Sequence, residues 1–185
     1  MTVNSAPPPS NPSSTPEDAL LRISKADKKT LGLFIEGVGL ISRTARPIDE
    51  LKQQACADRL KLATRFLDSG NKLLKMRPAE YRSAISRFYY AMYHAARAVV
   101  YFSHGGDDHE SHSKLPTMLP NDFIDAALWG NALKDARNHR NAADYDPYPL
   151  NSKSLRLVAL DLAAEAPRFL TQSRQYLHSK GCGYL

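Results

Sequence analysis

Cysteine is almost absent: the 185 residues include only Cys56 and Cys182, far apart and in no Cys-x-x-Cys spacing. That argues against a disulfide framework and against a zinc site, and a reducing cytoplasm is the expected home. Long apolar runs are missing too. The most apolar stretch, LGLFIEGVGLI at 31–41, is too short to cross a bilayer and is interrupted by Glu36. No basic segment leads into an apolar run near residue 1, so neither a targeting signal nor a membrane segment is expected. Strand-like alternation of polar and apolar residues does not occur either, which excludes a sheet-based fold. Neither sign of charge dominates. The 25 Lys and Arg against 19 Asp and Glu leave +6, a mild bias towards anionic partners that falls short of a histone-like tail.

What is present is helical punctuation, in a chain whose 43% hydrophobic content suffices for one core. Residues 1–16 (MTVNSAPPPSNPSSTP) have little to bury and are expected to be a flexible tail. Residues 17–46 form an arm whose structure the pattern leaves open, because Gly32, Gly37 and Gly39 blur the period. From 47 to 180 the spacing predicts four antiparallel helices in an all-α, up-and-down bundle of four to five helices.

The first of these runs from about Pro47 to Met76, with Leu51, Ala55, Leu60, Ala63, Phe66, Leu67, Leu73 and Leu74 inward and Gly70 a weak point. The second begins near Pro78 and ends by Ser103 before Gly105 and Gly106, with Ile85, Phe88, Tyr89, Met92, Ala96 and Val99 inward. The third is capped by Asn121 or Asp122, buries Phe123, Ala127, Trp129, Leu133 and Ala136, and ends at Pro147 and Pro149. The fourth follows an Asn151 or Ser152 cap, with Leu155, Val158, Leu162, Ala166, Phe169 and Tyr176 inward and a kink at Pro167. The loop from His104 to Pro120 carries His104, His109, His112, Asp107, Asp108 and Glu110. Its spacing fixes no metal geometry, so it is read as a solvated loop with no metal.

Two polar patterns stand out against this core. RNHRNAADYDP, at 137–147, is too polar for an interior; it sets Arg140 and Asp144 four apart and Asn141 and Tyr145 four apart, so that they converge on one another or on a shared ligand. On the second helix Arg87, Tyr90, His94, Arg97 and Tyr101 form a seam at three-and-four spacing without one aliphatic residue. Such a seam either lies half exposed with its charges in water, or lines a cleft or subunit interface.

Together RFYYAMYHAARAVVYF (87–102) and RNHRNAADYDP resemble the HEPN family (higher eukaryotes and prokaryotes nucleotide-binding), in its branch of small stand-alone bacterial proteins, over roughly residues 50–178. The resemblance implies a helical bundle, usually a homodimer, that binds RNA or a nucleotide in a cleft. Many such proteins are metal-independent ribonucleases. They act as toxins paired with a minimal nucleotidyltransferase antitoxin, or as effectors of phage defence. Their motif is Arg, a polar residue, then His four to six positions after the Arg; the His takes the ribose hydroxyl proton and the Arg stabilises the phosphorane.

Arg140 and Asn141 match the first two elements, while Asp144, Tyr145 and Asp146 stand where the His is expected. His139 precedes Arg140 and is poorly placed, so His94 or His112 is left as the base. The catalytic set implied is Arg140, Asn141, His94 and His112, with Arg137, Arg140, Tyr145, Tyr90 and Arg97 on the nucleic acid and Asp144 structural. No cofactor is implied. The alternative is a non-catalytic module that pairs with a nucleotidyltransferase or holds a small nucleotide.

Overall fold

The structure, a computed structural model, describes residues 16–148 and 151–185. The tail expected over 1–16 lies, apart from Pro16, outside the described residues, as does Pro149. The chain divides into two compact units, 1–48 and 49–185. In the first, the arm whose structure the sequence left open forms two helices, α1 (Pro16–Lys25) and α2 (Lys28–Thr44). Asp27 caps α2 by accepting from Thr30 N at 2.8 Å, and Ala45 closes it in the left-handed region. None of the residues of α2 is buried.

The second unit holds α3 (Ile48–Lys75) from its second residue on, α4 (Tyr81–His104), α5 (Ala126–Tyr145) and α6 (Ser152–Ser179), with a 3₁₀ turn at Leu115–Thr117. It is a helical bundle, and no strand occurs among the described residues. Helix α4 is its centre: thirteen of its 24 residues are buried, and it packs against both α5 and α6. Alanines at 84, 91, 95, 96 and 98 allow that close approach from several sides, while Phe88, Tyr89, Met92 and Val99 fill the space between helices. Gly105, at φ 76°, ends α4 with its N–H on Tyr101 O, as the Gly-Gly pair predicted. Asn151 caps α6 by accepting from Ser154 N, and the helix runs on through Pro167.

Four expectations are corrected by the structure. Helix α5 starts at Ala126 and not behind Asn121 or Asp122, because the Asp122 carboxylate is held by Tyr176 Oη at 3.0 Å and Lys180 Nζ at 2.6 Å; residues 121–125 therefore turn so as to bury Phe123 against Phe169 and Tyr176. The second helix begins at Tyr81, three residues past Pro78, and Ala127 is exposed rather than inward. Gly70 is not a weak point but a close approach. It is buried in α3, and a Cβ placed there would lie 2.6 Å from Phe88 Cε1.

Gly70→Ala is therefore expected to destabilise the fold by about 1–2 kcal/mol. Crowding a ring that is itself fully buried costs about 1–3 kcal/mol, which outweighs the roughly 1 kcal/mol that alanine gains in helix propensity. Urea midpoints check this, and a second substitution, Phe88→Leu, should recover part of the loss if the ring is the obstacle.

Candidate functional site

The polar end of α5 stays helical to Tyr145 because Arg82 of α4 caps it. The guanidinium donates to Ala143 O at 2.5 Å and Asp146 O at 3.0 Å, satisfying carbonyls that the last turn leaves open, and Pro147 prevents continuation. Ala143 is the one buried residue between 137 and 145, so the rest of this stretch faces α4, the 105–114 loop and solvent.

Arg140 is the hub. Its Nη2 donates to Tyr90 Oη, and Nη1 donates to Asn141 Oδ1 at 2.9 Å and Tyr145 Oη at 3.4 Å. The guanidinium also lies 5.2 Å from the Tyr90 ring centre and 5.4 Å from that of Tyr145. Asp144 Oδ2 is 3.2 Å from Arg140 Nε but out of hydrogen-bond alignment, so that buried N–H has charge nearby and no acceptor. Asp144 itself accepts from Ser86 Oγ. Arg140 is 12% exposed at its side chain, whereas the Tyr145 residue beside it is 71% exposed.

One turn earlier, Arg137 Nη1 donates to the backbone O of His112 at 3.0 Å, while its Nε is buried without an acceptor. That bond brings the loop to the helix. The His112 ring lies on Tyr93, with centroids 4.2 Å apart, and its Nδ1 is 2.5 Å from Tyr89 Oη. Tyr93 Oη in turn donates to Glu110 O at 2.7 Å. Burial, helped by Arg140, Arg137 and Arg97, holds the His112 imidazole below its usual range, so it is neutral at neutral pH.

The loop is thus fastened, not merely solvated. Arg97 donates to Asp107 through Nε at 2.8 Å and through Nη2, and Nη2 also reaches Glu110 at 2.7 Å; Arg59 of α3 shares Asp107 at 3.0 Å. Arg97 is engaged in latching the loop. The rest of the α4 seam finds partners on α3: Tyr90 and His94 lie on Phe66, Arg87 over the same ring, and Tyr101 beneath Arg59. His94 stacks parallel to Phe66 at 5.3 Å, with Nδ1 buried and without a hydrogen-bond partner, and its ring also lies 6.4 Å from that of Tyr90 and 5.1 Å from that of Tyr93. His139 lies in a cleft of about 380 Å³ between α5 and α6 with Asp135, Asp161 and Glu165.

The structure therefore brings Arg137, Arg140, Asn141, Tyr145, Tyr90 and His112 together, with His94 packed between Phe66, Tyr90 and Tyr93. Sequence reasoning treated Tyr89 as plain core and did not single out Tyr93, Ser86 or Arg82. A buried tyrosine needs a hydroxyl partner, and that was the available signal.

Burial, with Arg97 and Arg59 adding to it, lowers the His94 pKa to about 4. The unfolded chain takes up this proton near pH 6.5 and the folded one does not until about pH 4, so stability should fall as pH drops through that window. His94→Phe is expected to flatten the fall between pH 6.5 and 4.5, as measured by urea midpoints at the two pH values.

A helical bundle that gathers arginines, tyrosines and an imidazole at the end of one helix fits a class of proteins whose function, by family match, is nucleotide- or RNA-related in general. The HEPN domain model matches residues 56–174, more than half of the chain, and the protein belongs to that family. No curated protein matches the chain.

Proposed function

We propose that this HEPN protein binds RNA or a nucleotide through phosphate at Arg137 and Arg140. The observation carrying this reading is that Arg137 and Arg140 stand about one turn apart on α5, with the exposed Tyr145 ring beside Arg140. The planar guanidinium fork suits the oxygens of a phosphate. Tyr145 offers its exposed ring to a base, and Tyr90 and Asn141 hold Arg140 in place. Asp144 restrains the same arginine.

The test is binding of a fluorescein-labelled uridine oligonucleotide in EDTA at rising KCl. For a single strand, log affinity should fall against log salt with a slope of about −0.7 for each phosphate neutralised. Salt-independent binding, or none at 50 mM, would sink the reading.

A metal-independent ribonuclease is the second reading. It is favoured by the placement of His112 beside Arg137 and Arg140 despite its distance in sequence. Incubation with total RNA in EDTA separates the two, since binding without cleavage leaves the first alone. Family membership supports a wider setting for both: a homodimer of the bacterial cytoplasm in toxin–antitoxin or phage-defence systems, with a nucleotidyltransferase as partner. No helix among the described residues is long and apolar enough to cross a membrane.

A further inference from the structure

We infer that Tyr89 fixes His112 as the Nε2–H tautomer, making His112 a hydrogen-bond donor to the bound phosphate and not a proton acceptor. This rests on the phosphate-binding reading for the ligand, but the tautomer follows from the free protein's own geometry.

Tyr89 is 2% exposed, and its hydroxyl has one partner among the described residues, His112 Nδ1 at 2.5 Å. A phenol has a single proton to donate. If Nδ1 carried the imidazole proton and gave it to the phenol oxygen, the Tyr89 O–H would be buried with no acceptor, at a cost of about 1–3 kcal/mol. The arrangement that satisfies both groups has the phenol donating to a bare Nδ1. Burial, partly opposed by Arg140, pushes the Tyr89 hydroxyl well above its usual range, so it keeps its proton, and His112 is held neutral. The one imidazole proton then sits on Nε2.

The ring is not free to choose otherwise. Tyr93 packs on its face, Tyr93 Oη holds Glu110 O two residues before it, and Arg137 holds its own carbonyl. Turning the ring over would break the Tyr89 bond. The His112 residue is exposed and its carbonyl is held by Arg137, so the ring nitrogen not bonded to Tyr89 is the one left for a ligand, and it carries an N–H. On the phosphate-binding reading the donors available to the ligand are then two guanidiniums and a neutral imidazole. Tyr89 is the positioning residue. A neutral Nε2–H accepts no proton at that nitrogen, so under this inference the ribonuclease reading would require a base other than His112.

Long-range proton–nitrogen correlation spectra of the ¹⁵N-labelled full chain at pH 7.5 read the tautomer directly. The expected result is protonated Nε2 and bare Nδ1 for His112, becoming a mixture in Tyr89→Phe. An Nδ1–H tautomer in the unsubstituted protein overturns the inference. In the oligonucleotide assay, His112→Gln, whose amide N–H stands in for Nε2–H, should bind within about threefold of the parent, whereas His112→Ala should lose about tenfold, one charge-assisted hydrogen bond. Equal losses in Gln and Ala overturn the donor role, as does metal-independent cleavage that the Gln variant abolishes. An Nε2–H signal in a protein that binds no RNA would fell the proposed function and leave the tautomer standing, so the two failures are distinguishable.

Discussion

Arg140→Ala is expected to weaken binding of single-stranded RNA by about 100-fold while leaving the helical content unchanged. The side chain is held in place by Tyr90, Asn141 and Tyr145 and carries its charge beside the rings of Tyr90 and Tyr145. Losing two charge-assisted hydrogen bonds to phosphate, at about 1.5 kcal/mol each or somewhat more, amounts to roughly two decades of affinity. The fold should survive, because alanine is the best helix former and Arg82, not Arg140, caps α5. Asp144 keeps its bond to Ser86. Arg140→Lys retains the charge but not the planar fork, and should recover only part of the loss. Fluorescence anisotropy against the oligonucleotide measures all three proteins; a change under threefold for the alanine variant would place the phosphate elsewhere.

Gly130→Ala should be among the most destabilising single substitutions in the chain relative to its size. A Cβ there would sit 2.6 Å from the carbonyl oxygen of Pro116, in the 3₁₀ turn that follows the His112 loop. A side chain can rotate away from such a contact, as Phe88 partly can at Gly70, but a backbone carbonyl moves only with its turn. Overpacking of about 2–3 kcal/mol is expected, which at roughly 2–4 °C for each kcal/mol lowers Tm by about 5–10 °C. Asn131→Ala, one residue on and exposed, is the control and should be neutral or slightly stabilising. Because the displaced turn follows directly on the segment carrying His112, RNA affinity should drop as well. A Gly130→Ala protein melting with the parent would show that the turn yields freely.

Much of the bundle was legible because helices write their own boundaries. Asn151 before an apolar period and Gly105 after one act through backbone groups within a few residues, and both ends fall where those residues put them. Where a distant partner competes, the local signal loses. Asp122 is a sound cap by type, yet Tyr176 and Lys180, more than fifty residues later, claim its carboxylate and the helix starts at Ala126. Gly70 reads as a helix weakness until Phe88 is seen lying across it.

The candidate site divides the same way. The sequence alone determined that Arg137, Arg140, Asn141 and Tyr145 share the end of one helix and that Tyr90 belongs to a polar seam, because helical spacing is a local property. Only the tertiary structure showed how the two histidines lie. His94 and His112 are equivalent as candidates on paper, but His94 is stacked on Phe66 beside Tyr90 and Tyr93, while Arg137 and Tyr93 draw the loop bearing His112 onto α4. It also decided what that histidine can do, since the proton on its ring is set by the single acceptor open to the buried Tyr89 hydroxyl, and hydrogen-bond satisfaction in an interior depends on neighbours that sequence distance does not reveal.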